Sequence, residues 1–145
     1  MRILVQRSLN SSVSVNNKKV GTIDSGFVLF VGFTNTDTSK DIDYLINKVI
    51  NLRIFDDENG IMNKSILDVK GSVLSISQFT LYADTNKGNR PSYINAMKGE
   101  DAIKLYDEFN DKLSKYVDVE KGIFGSDMKV SITNDGPVTI ILESK

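Results

Sequence analysis

Histidine and cysteine are both absent from the chain, and proline occurs only as Pro91 and Pro137. Without cysteine there is no disulfide, no thiolate nucleophile and no zinc–sulfur site. Without histidine the usual proton shuttle and the commonest metal ligand are gone. A Ser–His–Asp mechanism is impossible within this chain. Charge of one sign is lacking too, since 18 basic residues face 19 acidic ones and the net charge is −1. No global field draws the protein onto nucleic acid, so any RNA or DNA partner must be held by a local patch. Long apolar runs are also missing. The longest, "FVLFVGF" from Phe27, is far too short to cross a bilayer, so no membrane is expected as a partner. The opening "MRILVQRSLNSS" lacks the apolar core of a secretion signal, which makes the cytoplasm the expected location.

What is present is ordinary for one soluble domain spanning residues 1–145, with 40% hydrophobic and 26% charged residues. "ILVQ" and "SSVSV" read as strand, Asn16 and Asn17 as a turn, and "KKVGTI" and "GFVLFVGF" as returning strands. Thr38 with Asp41 resembles a capping box, and Ile42, Leu45, Ile46 and Val49 form the apolar stripe of a first helix. A short strand "RIF" and a strand "GSVLSIS" follow. A second helix is expected from about Gly99 to Tyr116, with Ala102, Leu105, Tyr106, Phe109 and Leu113 on its buried face. "MKVSIT", "NDGP" and "VTIILE" read as a closing hairpin. The order predicts an α/β domain with a largely antiparallel or mixed sheet and two main helices.

The acidic run Asp56, Asp57 and Glu58 invites a hard-cation site. It fails the EF-hand spacing, because with Gly60 in the invariant glycine place the first and twelfth ligand positions fall on Phe55 and Ile66. Neither a metal nor a cofactor is expected.

Polar chemistry concentrates instead in "SQFTLYADTNKGNRPS", residues 77–92. Residues three apart point to opposite faces of a straight strand, so Ser77 and Thr80 serve one site only if the chain bends at Gln78 and Phe79. Such a bend turns main-chain amides and carbonyls toward a ligand, and amides of that kind stabilise an oxyanion without any titrating side chain. Local hydrogen bonding of the two hydroxyls is the plain alternative. Thr80 has no adjacent base and is read as a positioning group rather than a nucleophile. Lys87 and Arg90 suit phosphate oxygens, or simply a solvated loop. At the other end, Pro137 follows Gly136 and cannot donate to a ladder; residues alone favour an ordinary trans bond there.

Two separated motifs, "SQFTLYAD" continuing into "KGNRPS" and the later "NDGPVT", together resemble the D-aminoacyl-tRNA deacylase family. "MRILVQR", "RIFDDENGIMNKS" and "GIFGSDM" extend the likeness over essentially the whole chain, and Ser126 is a minor departure where many members carry alanine. The resemblance implies a partly barrel-like homodimer that hydrolyses the ester joining a D-amino acid to the 3′ end of tRNA and clears mischarged glycine. It assigns Ser77, Gln78, Phe79 and Thr80 to the catalytic wall. Leu81, Asn134, Gly136, Pro137, Val138 and Thr139 go to substrate binding, with a cis Gly136–Pro137 bond reaching into the partner's pocket. Lys87 and Arg90 are the candidates for weaker tRNA contacts.

Overall fold

The computed structural model describes residues 1–145. Strand β1 (Arg2–Val15) turns back into β2 (Lys18–Gly32), followed by helix α1 (Ser39–Asn51), β3 (Phe55–Asp56), β4 (Met62–Lys64) and β5 (Ser72–Ser77). A single 3₁₀ turn (Phe79–Tyr82), helix α2 (Gly99–Leu113), β6 (Val119–Lys121) and β7 (Lys129–Glu143) complete the chain. The main sheet has five strands in the order β6-β5-β2-β1-β7. β1 runs antiparallel to β2 and β7, whereas β2–β5 and β5–β6 are parallel. β3 and β4 form a separate small hairpin.

The α/β class, the mixed sheet and both helices match the sequence reading. The barrel-like expectation does not hold: β6 and β7 are the two edges of an open sheet and do not pair with each other. The expected third strand before α1 is also absent, because β1 and β2 are each one long strand. Their two-residue turn is where the pattern put it. Asn16 (φ 49) and Asn17 (φ 60) are both left-handed, the conformation a tight hairpin turn demands.

α1 starts as expected at its capping box, with the Asp41 carboxylate accepting the Thr38 amide at 2.9 Å. Ile42, Leu45, Ile46 and Val49 are buried, as are Ala102, Tyr106, Phe109 and Leu113 of α2. Both helices cover one face of the sheet, against Ile3, Val5, Phe27, Leu29 and Val31. The opposite face gathers Val13, Ile23, Val28, Leu74 and Ile76, with Phe30, Met128, Val130 and Ile132 only partly covered.

The closing hairpin is not formed. β7 is continuous, and both its halves pair with β1, for example Val130 with Val13 and Ile140 with Val5. Between the pairs Gln6–Thr139 and Ser8–Asn134, β1 advances by two residues while β7 runs back by five, so three extra residues bulge out. An odd excess reverses the faces of a strand. Val138, Ile140 and Leu142 therefore pack under the helices, and Val130 and Ile132 on the far side. Pro137 has no amide to give the ladder, and Gly136 holds φ 125, which L side chains rarely adopt. "NDGP" thus bulges the strand rather than turning it.

Candidate active site

The first motif bends at Gln78 and Phe79, where a site shared by Ser77 and Thr80 would need it. Ser77 ends β5 opposite Val31, and the Gln78 amide donates to the Val31 carbonyl at 2.8 Å. Gln78 then leaves the strand (φ −146, ψ 81) and Phe79–Tyr82 close the 3₁₀ turn. The Leu81 amide returns to the Gln78 carbonyl at 3.3 Å, and the Ala83 amide to Thr80 at 3.0 Å. The first amides of a helical turn have no partner within it, so Phe79 and Thr80 present donors at the start of this one. Gly32 permits the close approach, since a Cβ there would lie 2.8 Å from the Gln78 carbonyl oxygen. The Thr80 hydroxyl accepts from the Gln78 side-chain amide.

From below, Arg2 donates to the Leu81 carbonyl at 2.5 Å and places its guanidinium 4.8 Å from the centre of the Tyr82 ring. Burial, reinforced by the charge of Asp37 and only partly opposed by Arg2, pushes the Tyr82 phenol up to about 12. Tyr82 is therefore neutral at working pH.

Beside the bend lies a cavity of about 460 Å³, lined mainly by apolar groups including Val31, Phe33, Phe79, Met97 and Phe124. Ser77 and Gln78 supply its polar edge. A second hollow of about 260 Å³ continues past Ser77, Gln78 and Phe79 toward Ser126 and Met128.

The second motif stands apart. Asn134 fastens the bulge, accepting the Val138 amide at 3.2 Å and donating to the Thr139 hydroxyl at 2.8 Å. Arg7 continues the inward row of Ile3 and Val5, so its guanidinium enters the interior and needs acceptors there. It finds the carbonyls of Asp135 at 3.1 Å and Ile54 at 2.8 Å. The Gly136–Pro137 bond is cis, as the resemblance implied and the residues alone did not. Gly136 and Pro137 are exposed, and no residue from Asn134 to Thr139 lines either hollow at the first motif. Within one chain the two motifs do not meet.

A family model of D-Tyr-tRNA(Tyr) deacylase matches residues 4–143. The chain belongs to this deacylase family. Its activity is that of a D-aminoacyl-tRNA deacylase, an ester hydrolase. Among solved structures, one described as "c-Myc DNA Unwinding Element Binding Protein" is 39% identical with a TM-score of 0.95, covering 100% of this chain and 99% of that one. Another, described as "Structural Analysis of a probable eukaryotic D-amino acid tRNA deacylase", is 17% identical with a TM-score of 0.84 over 98% of each chain. At 17% identity the second likeness is one of fold.

Other sequence candidates of the deacylase are placed elsewhere. Lys87 and Arg90 lie exposed on a loop closed by the Asp84–Ser92 bridge, outside the cavity. The acidic run diverges to separate partners. Asp57 accepts the amides of Asn59 and Ile61 at 2.8 and 3.1 Å, Glu58 pairs with Lys64, and Asp56 sits 3.5 Å from Arg7. The amides of Ile61 and Asn59 hold the Asp57 carboxyl below its ordinary range. Sequence reasoning passed over Arg2 and Arg7, although two arginines flanking the apolar run in "MRILVQR" were a visible signal.

Proposed function

We propose that the deacylase works as a homodimer in the cytoplasm, residues 1–145 forming one catalytic domain per subunit. Each site joins the first motif of one subunit to the Gly136–Pro137 bulge of the other. The observation that carries this reading is the separation of the motifs: an exposed bulge, fastened by Arg7 and Asn134, that lines neither hollow beside the first motif of its own chain. The partly covered row Phe30, Met128, Val130 and Ile132 supplies an apolar face for the second subunit.

The substrate is an activated ester with a cationic α-amine and a neighbouring ribose hydroxyl. The terminal adenine enters the apolar cavity beside Phe33 and Phe124, which brings the ester to Ser77–Thr80. Amides of Phe79 and Thr80 donate to the developing oxyanion, and the carbonyls of Phe79 and the partner subunit's Gly136 hold the ammonium. The RNA's own 2′-hydroxyl orients the attacking water, so the protein needs no histidine. Thr80 positions and does not attack. Leu81 backs the 3₁₀ turn against Gly32, and Val138 and Thr139 hold the shape of the bulge through Asn134.

Handedness follows from the same grip. With amine and ester both fixed, only the Cα hydrogen and the side chain can exchange places. A rigid Gly136–Pro137 main chain standing where an L side chain must go excludes it, and D-residues and glycine remain acceptable. The test is deacylation of D-tyrosyl-, L-tyrosyl- and glycyl-tRNA by the pure protein, beside its mass in solution. D and glycyl substrates should be cleaved and L spared, by a dimer. Equal cleavage of D and L would sink steric rejection, and an active monomer would sink the shared site.

A further inference from the structure

At the mouth of the cavity beside the bend, side chains form an apolar patch to which the chemistry above gives no role. Phe79 is 56% exposed, Tyr93 41% and Ile94 78%. The two rings meet edge to face, with centroids 5.1 Å apart and planes at 69°. Both also line the cavity, so the patch is continuous with it. The segment is held in place. Thr34 donates through its hydroxyl to the Asn95 carbonyl at 2.6 Å, the Asn35 side chain donates to that of Ile94 at 3.4 Å, and the Met97 amide bonds Phe33 at 2.9 Å. Ile94 is thereby displayed to solvent by a fixed main chain.

Cations flank the patch on both sides along the chain. Lys98 lines the cavity, and the loop carrying Lys87 and Arg90 ends at Ser92, directly before Tyr93. None of the three enters an ion pair. Exposed aromatic faces bordered by free cations are what single-stranded nucleic acid needs: rings for bases and positive charge for phosphates. A purely apolar protein partner would gain nothing from the three cations.

We propose that Phe79, Tyr93 and Ile94 form a stacking platform for the unpaired nucleotide preceding the terminal adenosine, with Lys98, Lys87 and Arg90 meeting the adjoining phosphates. This rests on the deacylase reading above and adds a subsite to it. The platform explains how a short main-chain site selects an ester on tRNA over a free nucleoside ester.

The experiment compares kcat/KM on D-tyrosyl-tRNA with that on D-tyrosyl-adenosine, which keeps the ester and the last nucleoside alone. The wild type should favour the tRNA, and Tyr93→Ala should lower that preference by about 5- to 100-fold, the range expected for one base stack. Tyr93→Phe should restore it, because stacking needs the ring and not the hydroxyl. Ile94→Ala, at a side chain too exposed to threaten folding, should lower it about 2- to 5-fold, the order expected for a partly covered apolar contact. An unmoved preference in both alanine variants would overturn the platform and leave the deacylase intact. A variant whose mass in solution falls to a monomer would also overturn it, since the patch would then be a subunit contact. Wild-type protein that cleaves neither ester would overturn the deacylase reading itself, and the platform with it.

Discussion

Arg7 donates its Nε–H to the main-chain carbonyl of Asp135 at 3.1 Å, and Asp135 immediately precedes the exposed Gly136–Pro137 bulge. The same guanidinium reaches Ile54 at 2.8 Å, so one buried side chain ties the bulge to the body of the fold. Lysine can carry the charge but cannot span both carbonyls with a planar fork. Arg7→Lys should therefore lower kcat/KM on D-aminoacyl-tRNA by about 10- to 100-fold through a misplacement of under an ångström. The D-over-L preference should fall with it. Retained selectivity in a folded Arg7→Lys protein would show that the bulge holds its position without this anchor.

Gly136 has no substitute at its own position. At φ 125 an added Cβ would lie 2.7 Å from Val138 Cγ2 and 2.9 Å from the Val138 amide. Gly136→Ala should cost about 1–3 kcal/mol of stability from the backbone conformation alone. Deacylation should fall further than that loss accounts for, because the bulge has to move. Urea unfolding and a D-tyrosyl-tRNA assay on the same preparation separate the two effects.

The failed hairpin shows where sequence reasoning reaches its limit. Periodicity found α1 and α2 because each buries a regular face, β5 showed as a short apolar run buried on both faces, and a shared site for Ser77 and Thr80 called for the bend that a 3₁₀ turn supplies. "NDGP" carries the local signature of a turn, and only pairing with β1 decides that the strand resumes in its original direction. That pairing is a long-range fact: Val130 and Ile140 meet Val13 and Val5. β6 was missed because three residues carry too little pattern to be seen. In the candidate site, the sequence grouped Ser77 through Phe79, and all three line one cavity. Arg7 was not, because its role rests on a carbonyl 128 residues away.

The capping carboxylate of α1 gives the fold a defined acid response. Burial acts to raise the pKa of Asp41, but hydrogen bonds from Ser144, the Thr38 amide and Lys145 outweigh it and hold the carboxyl well below its usual range. A carboxyl depressed in the folded state stabilises the protein fully above its unfolded pKa of about 3.9. That contribution is lost as pH falls below this value toward the folded pKa. Asp41→Asn should cost about 1–2 kcal/mol at pH 7. The gap between variant and wild type should narrow at pH 3, and urea midpoints at the two pH values check it. A gap of the same size at both would assign the loss to packing rather than charge.

Thr80 offers the sharpest division between side-chain and main-chain chemistry. Its hydroxyl oxygen accepts from the Gln78 side chain, and the chain has no histidine to take its proton. A nucleophilic threonine would need a base within hydrogen-bond reach and would pass through an acyl-enzyme. A positioning threonine needs neither. Thr80→Ala keeps the amides that begin the 3₁₀ turn, so kcat should fall less than about tenfold, the order expected for one lost neutral hydrogen bond. Thr80→Pro removes the amide itself and should cost about 100-fold or more, as deletion of an oxyanion donor does elsewhere. The ratio of the two losses carries the argument: a donor role in the main chain makes the proline variant far worse than the alanine one. If alanine alone abolishes turnover by several orders, the hydroxyl is doing the chemistry.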